Sequence, residues 1–567
     1  MTMREFLSYF KSGLLGVFLI VLPLIFGSYH SIFRAEIIYC GALLFFVVML
    51  FIPLSPLSPQ ERRLPETYLQ MAVFLFLFYS VLHIICIKNG KIDRFILYKW
   101  GAVALCYFIV KRLNHKQLLL YALLVSGCVQ AGIAFLQKSG IMASKHVMFE
   151  VSGSFSNPGQ LGGYLAVCLV ISILLLVRPC NRLSHICILF VCVVLQLYAF
   201  YLAGSRAAFL GLAVGLAFYF LPKIKKHKKL IISTILLLII FSSVLLYFYR
   251  PASANGRLLI WRVSMEMIAD KAFFGHGIGS FSEKYMLYQA NYFFENPNSV
   301  FVSVAGNVSF PFNELVNITT QQGIVGLLLV VAIFYLAFYI KGNRIFKAGL
   351  ASLAVFSMFS YPTAVFPILL LFAVCLGGIF DSRGTASLTP YSLRNKIFIS
   401  LVCLVVGFFA AKDLLFVKRL SQSYANGNMT FFEQSFEKMQ YNRNYHDYYL
   451  DWLIDYPDSE YFNRIENILP SSENYYLLAE YFLAKKNYKQ AETTLRIAAD
   501  MIPIRIRPKY LLWQLYVETC NIPAAIETAQ NILETPLKIE SVFTLQVKTQ
   551  MKNYLIENNK LLEIKSD

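Results

Sequence analysis

The stretch LGGYLAVCLVISILLLV, residues 161–177, decides the class of fold. It carries no charge, is long enough to cross about 30 Å of hydrocarbon as a helix, and is apolar on every side, as a helix on the surface of a soluble domain is not. GIVGLLLVVAIFYLAFYI, residues 323–340, repeats the pattern. Working outward from these two, thirteen spans are predicted: 13–26, 37–54, 68–87, 95–110, 118–136, 161–177, 186–202, 207–221, 230–249, 323–340, 348–360, 364–380 and 397–411. The eleventh is short and runs through Tyr361 and Pro362 into the twelfth, so a broken hairpin is the alternative there. With 57% hydrophobic and 15% charged residues and a mean hydropathy of +0.57, the 567-residue chain is not an ordinary soluble protein. The expected fold class is all-α, a polytopic membrane helical bundle over residues 1–411.

Basic residues near span ends resist translocation, so their distribution orients the bundle. With the N-terminus inside, the inside segments hold twenty Lys and Arg, including the cluster Lys223, Lys225, Lys226, Lys228 and Lys229, against seven in the short outside loops. This asymmetry accounts for most of the +19 formal charge, which therefore reads as topology and not as a nucleic-acid surface. The charged, apolar N-terminus has no small-residue cleavage site and is expected to be a retained first helix. The eleven cysteines lie mostly within spans and show no metal or disulfide spacing. No metal is expected.

Two polar segments then face outward. The loop 250–322 is too long for a passive connector. Its first part, from Gly256 to Met267, has helical apolar spacing with charges between, as in a helix lying at the membrane interface, and the run Gly275, His276, Gly277, Ile278, Gly279 ends it. The tail 412–567 contains a repeat: Leu478, Ala479, Phe482, Tyr488, Ala491, Leu495, Ala498 and Pro503 fit the tetratricopeptide pattern of large and small residues, and Leu512, Tyr516 and Ala525 follow 34 residues after Leu478, Phe482 and Ala491. With a degenerate copy at 431–469 the tail would be a small α-solenoid that holds a partner, the alternative being a helical cap without a ligand.

Five features are candidates for chemistry. The turn 153–160 breaks the chain before the sixth span, and its Asn157 is a candidate ligand-binding residue or part of a plain surface turn. Arg206, in the short turn Gly204, Ser205, Arg206 between two spans, either snorkels or holds an anion, for which its planar fork suits a phosphate. Arg257 and Arg262 flank Trp261 on the interfacial helix, a cap over a lipid diphosphate or a surface binding bulk lipid. His276 sits in a glycine run that would let backbone approach a ligand, or is simply in a turn. Asn313 and Glu314 stand at a helix entrance, where Glu314 is a catalytic candidate or an ordinary N-terminal acid.

Taken in order, SFSNPGQLGGYLA (154–166), GSRAAFLGL (204–212), GRLLIWRVSMEMIADKAFFGHGIGSF (256–281) and FNELVNITTQQGIVG (312–326) resemble the O-antigen ligase and polymerase superfamily of membrane glycosyltransferases. The resemblance implies a GT-C-like bundle in the bacterial inner membrane, with its N-terminus cytoplasmic and the loop and tail periplasmic. It implies transfer of a glycan from undecaprenyl diphosphate to an acceptor, with no cofactor. By the same resemblance Arg206 and Arg257 match the arginines that hold the diphosphate and stabilise the charge it gains on leaving. Where the family commonly has His-Asn this chain has Phe312 and Asn313, and phenylalanine can neither orient nor deprotonate an acceptor. Glu314 and then His276 are the substitutes to consider, or the acceptor reacts without a strong base. Lipid A core is the first acceptor to consider, with a growing glycan (polymerase) or a protein hydroxyl (O-oligosaccharyltransferase) as alternatives. A lipid-linked glycan transporter or flippase is the rival from another class, although no paired halves with interrupted helices are evident. A scaffold with an inactive membrane domain is the third.

Overall fold

The computed structural model describes residues 3–26, 64–87, 93–179, 182–221, 251–380, 393–427, 429–442, 445–446, 470–537 and 540–564. The described residues are helical, with no β-strand among them. The predicted spans 37–54 and 230–249, the lysine cluster 223–229 and the greater part of the degenerate repeat lie outside them. The first seven helices are α1 (Met3–Phe26), α2 (Leu64–Cys86), α3 (Arg94–Arg112), α4 (Gln117–Lys138), α5 (Pro158–Leu176), α6 (Leu183–Ala203) and α7 (Arg206–Phe220). After them come α8 (Pro251–Asp270), α9 (Ser280–Glu295), α10 (Glu314–Tyr339), α11 (Arg344–Ser357), α12 (Phe366–Gly378) and α13 (Leu393–Ala425). Among the described residues, α2, α4, α5, α6 and α10 are long and apolar enough to cross a membrane, and α1, α7 and α12 contain shorter apolar helices.

The stretch that opens the sequence argument is the centre of the bundle. α5 is buried around almost its whole circumference, against α4, α6, α7 and α11. An all-apolar helix can be accommodated in this way because each neighbour covers one side of it. Between apolar helices packing depends on small residues and a few polar contacts. Gly211 and Gly215 of α7 lie against the Ser352 and Ala348 carbonyls of α11, and Gln196 of α6 donates to the Leu124 carbonyl at 3.1 Å and to the Ser172 hydroxyl at 3.1 Å. The turn before α5 is no surface turn: residues 151–155 are buried, and two glutamines of α4 supply its backbone partners. Gln137 accepts from Ser152 and Gly153 and donates to the Gly153 carbonyl, while Gln130 accepts from Ser154. The eleventh and twelfth spans are the broken pair, α11 and α12 separated by a 3-10 turn at Pro362–Ala364.

α10 is interrupted at Gly323, where φ is +67° and ψ −171°, a conformation available to glycine and costly for any other residue. The interruption frees backbone groups that hydrocarbon cannot satisfy, and the turn after α8 supplies their partners. The N–H groups of His276 and Gly277 donate to the carbonyls of Thr320 and Gln321 at 3.0 and 2.9 Å, and the N–H groups of Ile324 and Val325 donate to those of Ala272 and Phe273 at 2.9 and 3.4 Å. From α2, the Tyr79 hydroxyl donates to the Gln322 carbonyl at 2.7 Å, and His83 bonds the Phe274 carbonyl at 2.5 Å. The glycine run is thus a splint for a broken helix. His276 is buried within it, and because a carbonyl only accepts, its Nε2–H donates to Met267 at 2.8 Å.

α13 carries the chain across the boundary expected at 411 as one helix. After the short helices α14 (Met429–Gln434) and α15 (Phe436–Met439) come α16 (Ser472–Ala484), α17 (Tyr488–Met501), α18 (Ile506–Glu518), α19 (Ile522–Glu534) and α20 (Val542–Ile564). The 34-residue period is visible in the backbone: Lys486 and Cys520, at φ +56° and +55°, turn two successive helical hairpins. Each turn is followed by an asparagine N-cap, Asn487 and Asn521, whose N–H donates back at 2.8 Å to Phe482 and Tyr516 respectively. The tail does not hang free. Met501, Ile502 and Ile504 join one apolar cluster with Leu259, Val263 and Met267 of α8 and Phe281, Tyr285 and Phe293 of α9, and Gln289 donates to the Met501 carbonyl at 2.6 Å.

Two outcomes check this account. A Cβ at Gly323 would lie 2.1 Å from the Phe273 carbonyl oxygen, whereas one at Gly132 meets nothing within 4 Å. Gly323→Ala should cost about 3 kcal/mol or more and lower the melting temperature of the purified protein, while Gly132→Ala should not; equal melts would remove the splint from the account. Burial holds the His276 ring below the usual histidine range. A group with a depressed folded-state pKa contributes stability that is complete above its unfolded value, about 6.5, and is lost as pH falls through the folded value. Between about pH 7.5 and 5 the wild-type protein should therefore lose more thermal stability than His276→Gln; parallel losses would show that His276 is not the titrating group.

Candidate functional site

The site is assembled from segments far apart in sequence. α6 ends at Gly204, in the left-handed region at φ +55°, and after Ser205 the chain enters α7 at Arg206. Gly162 of α5 allows this reversal to sit close: a Cβ there would lie 2.5 Å from the Cβ of Ser205. Arg206 is therefore a cation at the first residue of a helix, facing the positive end of the helix dipole. That placement costs about 0.3–1 kcal/mol. An anion at the same place would offset it.

Arg257 reaches the same place from α8. Its guanidinium lies over the ring of Phe312, 5.5 Å from the centroid. Burial comes first among the causes that hold it below the usual arginine range, and the second is the like charge of Arg206. Both remain protonated at any physiological pH, so the fold holds two fixed positive charges close enough to oppose each other. Phe312 itself is at φ +54°, uncommon for a residue with a side chain, and meets Tyr361 edge-on at 5.3 Å. Phe310 stacks on the same tyrosine ring at 5.0 Å. The three rings form one aromatic cluster with Arg257 over its Phe312 member, and the Trp261 Nε1–H, donating to the Pro311 carbonyl at 2.9 Å, ties α8 to it.

Beside this cluster lies a polar knot. Asn313 caps α10 by accepting from the N–H groups of Leu315 and Val316 at 2.9 and 3.3 Å. The next residue, Glu314, is buried and accepts from the Thr363 N–H and hydroxyl at 3.0 and 2.6 Å and from Asn317 at 2.8 Å. Lys99 of α3 donates to the Thr363 carbonyl at 2.9 Å. A cavity of about 350 Å³ adjoins the knot, lined by Glu314 and Thr363 together with apolar residues that include Phe310, Val73, Val103 and Ile333.

The structure thus brings Arg206, Arg257, Asn313 and Glu314 to one locality. The other expected residues make protein contacts of their own. His276 is bonded to Met267, ten residues along α8 from Arg257, or about 15 Å of helix. Arg262 is exposed and faces Glu266 at 3.9 Å as an ordinary surface pair. Trp261 is a tether, and Asn157 caps α5 by accepting from Gly159 at 2.7 Å. Sequence reading missed Lys99, Tyr361 and Thr363. Lys99 could have been flagged, since a lysine inside an apolar span is a functional candidate by default. Tyr361 and Thr363 carry no such mark, and only the chain's return between α11 and α12 brings them in.

Residues 191–331 match the family model described as O-antigen ligase, a stretch that holds both arginines, the aromatic residues Phe310 and Phe312, and Glu314. None of the curated proteins matches the chain. Over residues 191–331, about a quarter of its length, this helical membrane protein is similar to the O-antigen ligase family.

Proposed function

We propose that the chain transfers a glycan from undecaprenyl diphosphate to an acceptor hydroxyl at the periplasmic face of the bacterial inner membrane, with Arg206 and Arg257 holding the diphosphate. The observation that carries this reading is the convergence of two fixed cations from separate segments, each with a cost that a bound anion relieves. The adjoining cavity, lined mostly by apolar side chains with Glu314 and Thr363 among them, suits the first isoprenoid units of the carrier. In the reaction the acceptor oxygen bonds to the anomeric carbon, the bond from that carbon to the phosphate oxygen breaks, and the pair of electrons leaves with the diphosphate. Charge grows on the oxygen nearest the arginines, and preorganised cations stabilise that growth without reorganising.

Phe312 stands where the family commonly has histidine, and its work here is different: it holds the Arg257 guanidinium by its ring face, a contact worth about 0.5–2 kcal/mol. Glu314 is committed to Thr363 and Asn317 and shapes the site. The proton of the acceptor hydroxyl then passes to the departing diphosphate, whose oxygens are basic enough to take it once the sugar has left. The tail has the tetratricopeptide period, and the end of its first hairpin packs against α8 and α9 in a cluster that Trp261 and Phe312 adjoin, which supports a large acceptor; lipid A core is the first to test. The thirteen-span topology, with loop and tail outside, belongs to this reading.

In a strain lacking the protein, complementation with wild type should restore a long lipopolysaccharide ladder, and Arg206→Ala or Arg257→Ala should each reduce it about a hundredfold or more. Arg257→Lys should fall nearly as far, because an ammonium lacks the planar fork. Phe312→Leu should lower transfer about two- to tenfold and Phe312→Tyr should retain it. Normal ladders from both alanine variants at equal expression would end the diphosphate reading. Loss of periplasmic glycoproteins in place of the ladder would assign a protein acceptor.

A further inference from the structure

The tail meets the segment that carries Phe312, and a single buried amide joins the two. Gln289 of α9 is fully buried, and its hydrogen bonds run in three directions. Its oxygen accepts from the Tyr285 hydroxyl at 3.0 Å, while its NH2 donates to the Gly306 carbonyl at 3.2 Å and to the Met501 carbonyl at 2.6 Å. One side chain therefore fastens α9, the segment before α10 and the end of α17 at one point. At the exposed rim, Asn307 adds a second tie. Its carbonyl oxygen accepts from the N–H of Ser472, the first residue of α16, at 3.4 Å, and its NH2 donates to Glu473, which pairs with Arg505. Apolar contacts run along the same seam, where Val308 and Phe312 on one side and Tyr475 and Ile497 on the other adjoin the cluster that holds Met501 and Ile502.

Phe312 makes this seam matter to the arginines. Its backbone, at φ +54°, is in a conformation that a residue with a side chain keeps only where its surroundings over-determine it. From one direction Trp261 holds the Pro311 carbonyl and Tyr361 meets the Phe312 ring edge-on. From the other, Gln289 and the tail hold residues 306–308. The run from Gly306 to Phe312 is thus fastened at both ends, and the Arg257 guanidinium lies over the ring at the second of them. We infer that Gln289 is a positioning residue for glycan transfer: by bonding Gly306 and Met501 together, it makes the docked tail part of the support that places Phe312 and, through it, Arg257. The tail then acts as a brace for the donor site. This inference rests on the reading of Arg257 as a ligand of the diphosphate, and Gln289 itself touches no reacting group.

The test is a double-mutant cycle on the full-length protein, read as the amount of glycan product in the complemented strain at equal protein level. Gln289→Met keeps the length of the side chain but leaves the Gly306 and Met501 carbonyls without their donor, and should lower the product about five- to tenfold. In a Phe312→Leu background, where the ring contact with Arg257 is already gone, the same change should lower it less than about twofold, because both act on one placement. A residue that only supports the fold would give the same factor in both backgrounds. Asn307→Ala, at the exposed rim, should lower the product about two- to threefold with an unchanged melting curve, again only where Phe312 is present; it carries the cycle if Gln289→Met does not accumulate in the membrane. Equal factors in the two backgrounds, or wild-type product from both variants while Arg257→Ala is depleted, would overturn the inference and leave the diphosphate reading standing. Wild-type product from Arg257→Ala would remove that reading and the inference with it.

Discussion

Everything around the arginine site depends on how a broken membrane helix is mended. At Gly323 the ladder of α10 is interrupted, and backbone groups exposed in hydrocarbon cost several kcal/mol each. Four hydrogen bonds from the turn after α8 close the gap, and side chains of α2 hold the same place from a third direction. Because the mend requires the 272–277 backbone to lie against α10, it also fixes where α8 and α9 enter and leave. Arg257 is therefore placed by a constraint some way along its own helix, and the loop that holds it is part of the bundle's internal framework.

The arginine pair shows how such a framework stores electrostatic tension. Neither charge can be relieved by deprotonation, and each is positioned by packing: Arg206 by the close approach at Gly162, Arg257 by the ring of Phe312. A protein that only needed snorkelling cations would keep them apart. Holding them together is work that packing performs and, on the proposed reading, performs in advance of the ligand, the general form of preorganisation.

Much of the bundle was legible in sequence because hydrocarbon demands long apolar runs, and 161–177 and 323–340 are such runs. The 34-residue period of the tail was legible for a similar reason, since hairpin stacking needs small residues at fixed spacing and Ala491 and Ala525 supply them. Arg206 and Arg257 stood out against an apolar background. The contacts of His276, Trp261 and Asn157 were not readable, because a residue's partner is often a backbone carbonyl or N–H, which leaves no trace in residue type. Glu314 illustrates the limit most clearly: an acid at a helix entrance looks the same whether it faces a substrate or Thr363, and Thr363 arrives only through the fold-back between α11 and α12. The docking of the tail was hidden as well, since Met501, Ile502 and Ile504 read as core residues of the tail itself.

That docking has a bearing on inheritance. Helical-repeat tails are often treated as parts that lineages exchange freely, but here Met501, Ile502 and Ile504 complete an apolar cluster whose other half is on α8 and α9. A foreign tail grafted after residue 470 would leave Val263, Met267 and Phe293 without cover and the Gln289 amide without the Met501 carbonyl. The loop and the tail can therefore diverge only in step, and recombination that preserves the protein must carry both surfaces together.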